Sequence, residues 1–342
     1  MNPYRHYLRW LLAITLPMVF IVATVIFVND ARRVPGLAGL LFNRDYQVLY
    51  FGDSSLYITS VCETDKTGIT DYFASLSGLR TLPVFQAGYS PTIYGSYLDL
   101  LENLQHKPDT VVIPINLRGF SAESFGRPTA LFPKIRQVLH VISRPADLSG
   151  YLRYLQSRYA DTAPEKEALW LDQPINYPGM KLGTRKQLNE RIHAAKHGAP
   201  MYLECTSQKP EDYAEAMTLM FAYYYMYELN AEHPLLQTIA KLVERVKRMG
   251  IQPLLYVMPI NIEQGEHWRG PAFLPRVRAN VATLRKALQP LGVVLLDLSE
   301  RLPDNAEFVS QMCACEHYAA AGRLTIAKAV AEWARHINHP ID

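Results

Sequence analysis

Five short apolar segments, each separated from the next by a much longer stretch, constrain the fold of this 342-residue chain most strongly. The apolar segments are Gln47–Phe51, Pro83–Ala87, Thr110–Ile115, Pro253–Met258 and Val293–Leu298. Segments of helical length are Thr92–Gln105, Leu235–Met249, Leu274–Leu288 and Ala319–His336. Apolar strands that alternate with amphipathic helices are typical of a parallel sheet covered on both faces. The sequence therefore predicts an α/β fold with a doubly wound, five-stranded parallel sheet.

The interval from about 121 to 211 interrupts this alternation with several prolines, a mixed-charge stretch and a basic stretch. We expect it to be a helical insertion that caps the functional edge of the sheet. The aromatic run Phe221–Tyr227 follows it. Helix packing is the favoured interpretation of this run, and a lining for an acyl or glycan groove is the alternative.

The N-terminal segment Trp10–Val28 contains nineteen residues without a charge, which is long enough to span a bilayer as a helix. A cleaved signal peptide is the alternative, but no clear small-residue cleavage site precedes Asn29. We therefore expect a cytoplasmic tail over residues 1–9, a transmembrane helix over 10–28 and a connector over 29–45. Arginines lie on both sides of this segment, so their count does not decide its orientation.

The charge balance argues against one large class of partner. The chain has 35 basic and 32 acidic residues, a net charge of +3, and no long basic tract interleaved with aromatic residues. Binding to nucleic acid is therefore not expected.

A serine and a histidine at opposite ends of the chain are the candidate catalytic pair. The first apolar segment ends in the turn Gly52-Asp53-Ser54-Ser55, and His317 precedes the last helical segment. A serine hydroxyl at the end of a strand is placed where a histidine from a distant loop can deprotonate it. We therefore predict that Ser54 is a nucleophile and His317 its base, as in a serine hydrolase or acyltransferase.

Four cysteines, an even number, permit disulfides: Cys62, Cys205, Cys313 and Cys315. A bridge from Cys62 to Cys313 or Cys315 would join the segments that carry Ser54 and His317. The alternative is that all four are small buried apolar residues. No second Cys/His cluster completes a four-ligand site beside Cys313-x-Cys315-Glu316-His317, so no metal is expected.

These residues resemble the SGNH (GDSL-like) hydrolase superfamily, whose members combine a serine in a Gly-Asp-Ser turn with a glycine, an asparagine and a C-terminal histidine. The resemblance implies a flavodoxin-like domain over residues 46–342 and no cofactor. It also implies that the backbone N–H groups of Ser54 and Gly88 and the amide of Asn116 stabilise an oxyanion. Arg118, in the Asn-x-Arg pattern, competes with Asn116 as a group that binds an anion.

The superfamily places an aspartate three residues before the histidine, where this chain has Ala314. Asp304, Glu307 and Glu316 are the alternatives for the catalytic acid. A Ser-His dyad without an acid is the remaining possibility.

The N-terminal segment and the segment Pro253–Asn261 resemble the DltD-like branch of envelope-polymer acylation proteins. This resemblance implies a domain on the periplasmic side of the cytoplasmic membrane, with Asn261 as a binding residue. It also implies transfer of an acyl group to an envelope polysaccharide or a teichoic-acid-like acceptor, beside a multi-spanning membrane O-acyltransferase. A polysaccharide esterase and a non-catalytic scaffold that binds a glycan or an export partner are the alternatives.

Overall fold

The structure is a computed structural model that describes residues 21–60, 62–121, 131–159, 171–177, 180–195, 214–309 and 314–338, with the single residues 15, 18 and 169. Its centre is a five-stranded sheet with the strand order β2-β1-β3-β6-β7. The strands are β1 (Val48–Gly52), β2 (Thr81–Phe85), β3 (Thr110–Ile115), β6 (Gln252–Val257) and β7 (Leu295–Asp297). Each neighbouring pair is parallel. The predicted α/β fold with a parallel five-stranded sheet is confirmed.

Helices cover both faces of this sheet. They are α1 (residues 21–32), α2 (Leu37–Phe42), α3 (Ile69–Ser77), α4 (Pro91–Asn103), α5 (Leu131–Ser143), α6 (Leu148–Tyr159), α7 (Arg185–Ala195), α8 (Ala214–Tyr225), α9 (Pro234–Arg248), α10 (Ile262–Arg269), α11 (Phe273–Leu288) and α12 (Ala320–Asn338). A short antiparallel pair, β4 (Pro174–Tyr177) and β5 (Met180–Thr184), lies apart from the sheet.

The side chains of each strand alternate between the two faces of the sheet, and this divides the core into two clusters. Leu49 and Phe51 of β1 point to one face, where they join α4, α8, α9 and α11 in the larger cluster. Val48 and Tyr50 point to the other face and pack with helices α3 and α12. Successive side chains of a strand face opposite sides, so a strand buried on both faces is apolar throughout. This explains why β1 appears in the sequence as a continuous apolar run.

The inserted segment has helical parts, as predicted, in α5, α6 and α7. Helix α5 packs beside α4, and the Asn103 side chain donates to the Ser143 carbonyl across 3.2 Å. Helix α7 packs against α8. These contacts add helices to the layer on the larger-cluster side of the sheet. The expectation that the insertion caps the functional edge stays a prediction, since much of the interval 121–211 lies outside the described residues.

The structure corrects the predicted membrane anchor. In the described part of the chain, no helix is long and apolar enough to cross a membrane. Helix α1 is described over only twelve residues, and these extend about 18 Å along its axis. Its C-terminal half packs on the protein, because the Tyr154 hydroxyl donates to Asp30 across 2.8 Å and Phe27 contacts the Tyr154 ring. The single-pass localisation predicted from residues 10–28 is therefore wrong; most of residues 10–20 lie outside the described residues.

Candidate active site

The serine turn is built by the end of β1. Gly52 closes the strand, and a side chain at this position would overlap Leu56, since an added Cβ lies 2.0 Å from the Leu56 Cδ1 atom. The Asp53 carboxylate accepts the Ser55 backbone N–H at 2.8 Å and also the Ser55 hydroxyl. This cap starts a short 3₁₀ turn over Ser54–Leu56. The turn leaves Ser54 half-buried at the carboxyl edge of the sheet, where α/β proteins place their functional groups.

The structure brings His317 to this serine although 263 positions separate them, with 3.2 Å between Ser54 Oγ and His317 Nε2. The His317 backbone is anchored, since its carbonyl accepts the Val309 N–H at 2.9 Å. The next residue, Tyr318, forms an antiparallel bridge with Phe308. When the imidazole carries its proton on Nδ1, Nε2 accepts the Ser54 hydroxyl proton. The predicted pair is thus within hydrogen-bond distance.

His317 is 5% exposed, and its surroundings favour the neutral ring. Burial and, to a smaller extent, the Arg118 charge lower the pKa of His317 from 6.5 to about 4, although the Asp53 carboxylate acts in the opposite direction. A base must be unprotonated to accept a proton. At neutral pH the His317 ring is therefore in the state that deprotonation of Ser54 requires.

Of the three predicted oxyanion donors, Ser54 follows β1, and Gly88 and Asn116 follow the two strands that flank β1. Gly52 pairs with Phe85 of β2, three residues before Gly88, while Tyr50 pairs with Val112 of β3, four residues before Asn116. Gly88 has φ of +78°, which glycine adopts without strain. In the described part of the chain, the N–H groups of Ser54 and Gly88 are not used by other hydrogen bonds. These two amides are therefore available to an acyl oxygen.

The Asn116 amide is fixed at both ends. Its oxygen accepts the Arg118 N–H at 2.9 Å, and its nitrogen donates to Glu316 Oε2 across 3.0 Å. An amide nitrogen carries two N–H bonds. One therefore remains for an oxyanion after Glu316 has taken the other.

Glu316 is the centre of a buried polar network. It is 1% exposed, and its carboxylate accepts from Asn116 and from the Tyr225 hydroxyl. It also forms an ion pair with Arg118, whose Nε lies 3.3 Å away. The same Tyr225 hydroxyl lies 3.1 Å from the Ala314 carbonyl. Burying a carboxylate is costly unless it is paired and hydrogen-bonded, and this one has two donors and a cation beside it. Glu316 therefore holds the Asn116 and Arg118 side chains. From the sequence, it was considered only as an alternative for the acid that would orient His317.

The other predicted residues occupy helix caps. The Asp304 carboxylate is exposed and accepts the Ala306 N–H at 2.7 Å, while Glu307 accepts the Asp304 N–H at 3.4 Å. The Asn261 side chain caps α10 through the Gln264 N–H at 3.1 Å and donates to Asn305 across 2.6 Å. Both ends of the Asn261 amide are thus engaged within the protein. The predicted roles of these residues in catalysis or binding stay predictions.

The aromatic run packs inside the protein, which confirms the favoured interpretation. Tyr223, Tyr224 and Tyr225 are at most 8% exposed. Sequence reasoning missed that two of them also contact the site: Tyr225 binds Glu316, and the Tyr224 ring lies 5.3 Å from the Arg118 guanidinium carbon. A tyrosine on an otherwise apolar helix is a weak signal of this role, because its hydroxyl needs a partner when buried.

Arg323 was also missed. It is fully buried and donates to the Thr67, Asp65 and Tyr318 carbonyls and to Glu63 Oε2. Glu63 in turn accepts the Ala320 N–H. These bonds join the loop after Ser54 to the start of α12, just after His317. A signal was present, because Arg323 lies three and four residues before the buried Ile326 and Ala327, on the apolar face of a helix.

Disulfides occur in the same region. Cys62 and Cys315 are both disulfide-bonded, so the alternative that all the cysteines are free apolar residues is wrong for these two. Cys205 and Cys313 lie outside the described residues. The pairing of Cys62 with Cys313 or Cys315 therefore stays a prediction.

Comparisons with known proteins return only distant similarity. No family model matches the chain, and no curated protein is significantly similar to it. A GDSL-like lipase from Parabacteroides merdae has a TM-score of 0.36 at 11% identity, over 84% of this chain and 94% of that one. The inhibitor-bound aryl esterase of M. smegmatis has a TM-score of 0.35 at 11% identity, over 85% and 98%. TM-scores this low carry no argument about the fold or activity of this chain.

Proposed function

We propose that this protein is an SGNH-type esterase or O-acyltransferase that works through an acyl-enzyme on Ser54. The contact of 3.2 Å between Ser54 Oγ and His317 Nε2 carries the proposal. The uncharged His317 ring and the available N–H groups of Ser54 and Gly88 support it. An unperturbed alcohol is barely ionised at neutral pH, so the nearby base is what makes Ser54 a nucleophile.

In the proposed reaction, His317 Nε2 takes the hydroxyl proton as Ser54 Oγ bonds to the carbonyl carbon of an ester. The carbonyl oxygen becomes an anion that the Ser54 and Gly88 N–H groups and the Asn116 amide stabilise. The intermediate collapses when the ester C–O bond breaks, and the leaving alkoxide takes the proton from His317. Water, or the hydroxyl of an acceptor, then repeats these steps in reverse and releases the acyl group from Ser54.

The acceptor decides between the two activities. We propose further that the acceptor is a sugar or polyol hydroxyl of an envelope polysaccharide or a teichoic-acid-like polymer. The proposed partner is a multi-spanning membrane O-acyltransferase. This part depends on the sequence resemblance alone. Competition between water and added glycan during turnover of an activated ester tests it. Formation of an acylated glycan supports transfer, and release of free acid alone supports the esterase.

The experiment that tests the mechanism uses the full chain and a fluorophosphonate probe, which labels activated serines covalently. We expect the wild-type protein to be labelled and Ser54→Ala to be unlabelled. Hydrolysis of 4-nitrophenyl butyrate should fall at least about a thousandfold in Ser54→Ala. Ser55→Ala is the matched control, because it removes the neighbouring hydroxyl, and we expect a much smaller loss. Equal activity of wild type and Ser54→Ala would refute the mechanism. Absence of both labelling and hydrolysis in folded wild-type protein would favour a non-catalytic scaffold.

A further inference from the structure

The Arg118 side chain is held in one orientation at the carboxyl edge of the sheet. It follows Asn116 at the end of β3, its Nε lies 3.3 Å from Glu316 Oε2, and its guanidinium lies over the Tyr224 ring. The side chain is nevertheless 22% exposed, whereas that of Glu316 is 2% exposed. Arg118 is thus fixed by the buried network and still reaches solvent beside the Ser54 and His317 pair.

Only part of the Arg118 hydrogen-bonding capacity is used. Glu316 takes the Nε edge, and in the described part of the chain neither terminal nitrogen, Nη1 or Nη2, has an acceptor. Guanidinium presents its N–H groups as a planar fork that matches the two oxygens of a carboxylate. Glu316 holds the Nε edge of the guanidinium, and the Tyr224 ring packs against its face. The fork is therefore already oriented, so little side-chain entropy is lost when an anion binds.

The surrounding charges set the strength expected of this site. Two carboxylates, Glu316 and Asp53, influence the Arg118 guanidinium, and His317 is neutral at pH 7. Burial lowers the pKa of Arg118, but Glu316, Tyr224, Tyr225 and Asp53 raise it above its ordinary value, so the group stays charged. An anion here therefore meets no net positive field. Its binding depends on direct hydrogen bonds to the fork, which is a short-range and selective interaction.

We propose that the Arg118 fork binds a carboxylate of the substrate, so that the preferred ester carries a carboxylate in its acyl part. This proposal rests on the proposed function, because it assigns specificity to the same site. It gives Arg118 a role separate from the one proposed for Asn116, which is to stabilise the oxyanion. It also explains why a buried glutamate and a tyrosine of α8 hold an arginine whose outer edge is left open.

The first test compares two 4-nitrophenyl esters, the anionic hemisuccinate and the neutral butyrate, with the full chain. We expect Arg118→Gln to lower the ratio of kcat/KM for the hemisuccinate to that for the butyrate by about tenfold or more, the size of a lost charge-assisted hydrogen bond. Arg278→Gln is the matched control, since Arg278 forms an exposed ion pair with Glu300, and it should leave the ratio unchanged. An unchanged ratio in Arg118→Gln would overturn the proposal, whether both activities are retained or both fall equally.

The second test separates this proposal from the catalytic one. Binding of monomethyl succinate to the Ser54→Ala protein is measured by calorimetry, which needs no turnover. We expect Arg118→Gln in that background to weaken binding about tenfold or more, and dimethyl succinate to bind weakly to both proteins. If Gln prevents folding, Arg118→Lys keeps a charge beside Glu316 but lacks the fork and should lower the ester ratio. Equal binding of the anion with and without the Arg118 side chain refutes the carboxylate site even where Ser54 proves catalytic.

Discussion

Two consecutive residues, Glu316 and His317, serve two different clusters of the site. His317 faces the nucleophile and contacts Ser54 through one hydrogen bond of 3.2 Å. Glu316 accepts hydrogen bonds from Asn116 and Tyr225 and forms an ion pair with Arg118. Glu316, the acidic residue next to the proposed base in sequence, thus contacts the side chains of Asn116 and Arg118.

The different contacts of Glu316 and His317 matter because position 314, where the superfamily has an aspartate, is an alanine. In a Ser-His-Asp triad, the carboxylate orients the imidazole and stabilises its charged form. Here, His317 lies 3.2 Å from Ser54 and its carbonyl accepts the Val309 N–H, while burial disfavours the charged ring. Among the described residues, the carboxylate beside His317 in sequence therefore fixes the Asn116 and Arg118 side chains. We expect the two clusters to make separate contributions to activity.

The largest effect is expected from the nucleophile side. His317→Gln removes the proton acceptor but keeps a polar side chain of similar size. We expect kcat/KM for 4-nitrophenyl butyrate to fall at least about a thousandfold, because the Ser54 hydroxyl loses its base. Fluorophosphonate labelling of Ser54 should be lost in parallel.

His140→Gln is the control for this variant. His140 lies 2.9 Å from Asp147 at the start of helix α6 and belongs to neither cluster. We expect its activity to stay within about twofold of wild type, in line with the usual effect of changes far from a site. Retention of labelling in His317→Gln would show that Ser54 has another base, and the comparison of the two clusters would fail.

A smaller effect is expected from Glu316→Gln. Gln places an amide nitrogen, a donor, among two donors and a cation, so Asn116 loses its fixed orientation. Losing one oxyanion donor costs about 100- to 1000-fold in kcat. We expect about 10- to 100-fold here, because the Asn116 side chain is misplaced but still present. The loss should fall on kcat more than on KM, since the donor acts on the transition state.

A double-mutant cycle with Asn116→Ala separates positioning from general damage. If Glu316 acts through Asn116, the double variant should be little worse than Asn116→Ala alone. The thermal midpoint is measured for each protein, because an unpaired Arg118 charge also costs stability. Fully multiplicative losses would indicate that Glu316 contributes independently of Asn116.

The sequence was sufficient to predict the strands of the sheet, because the apolar pattern of a buried strand is contained within the strand itself. Strand β3 was predicted at Thr110–Ile115 and is found there, since a strand buried on both faces is apolar at every position. Helix α3 was missed, because Ile69–Ser77 is short and only part of it is apolar. The predicted anchor failed because local hydrophobicity does not reveal that Phe27 and Asp30 contact Tyr154, far along the chain.

For the site, the sequence predicted the pairing of Ser54 with His317 but not the partners of Glu316. Ser54 and His317 were predicted because a serine in a turn after a strand and a histidine before the last helix match the pattern of the superfamily that the sequence resembles. The contacts of Glu316 with Asn116 and Tyr225 span 200 and 91 positions. No local pattern encodes them, since they depend on how α8 packs against the edge of the sheet.

The smallest effect concerns pH and tests the claim that burial governs His317. The acid limb of kcat/KM reports the pKa of the base in the free enzyme. With that pKa lowered from 6.5 to about 4, activity is lost only as pH falls through about 4. We expect kcat/KM at pH 5.5 to be within about twofold of its value at pH 7.5, whereas a base with an ordinary pKa would lose about tenfold.

The same shift destabilises the fold in acid, so the two effects must be separated. Between pH 6.5 and about 4, the unfolded chain binds a proton that the folded His317 does not. Stability therefore falls with decreasing pH across this window, by at most about 3 kcal/mol. Circular dichroism at each pH identifies the range in which the protein stays folded, and rates are compared only there. An acid limb near 6.5 in folded protein would mean that His317 is stabilised as imidazolium, as a carboxylate partner would do, and would remove the contrast between the two clusters.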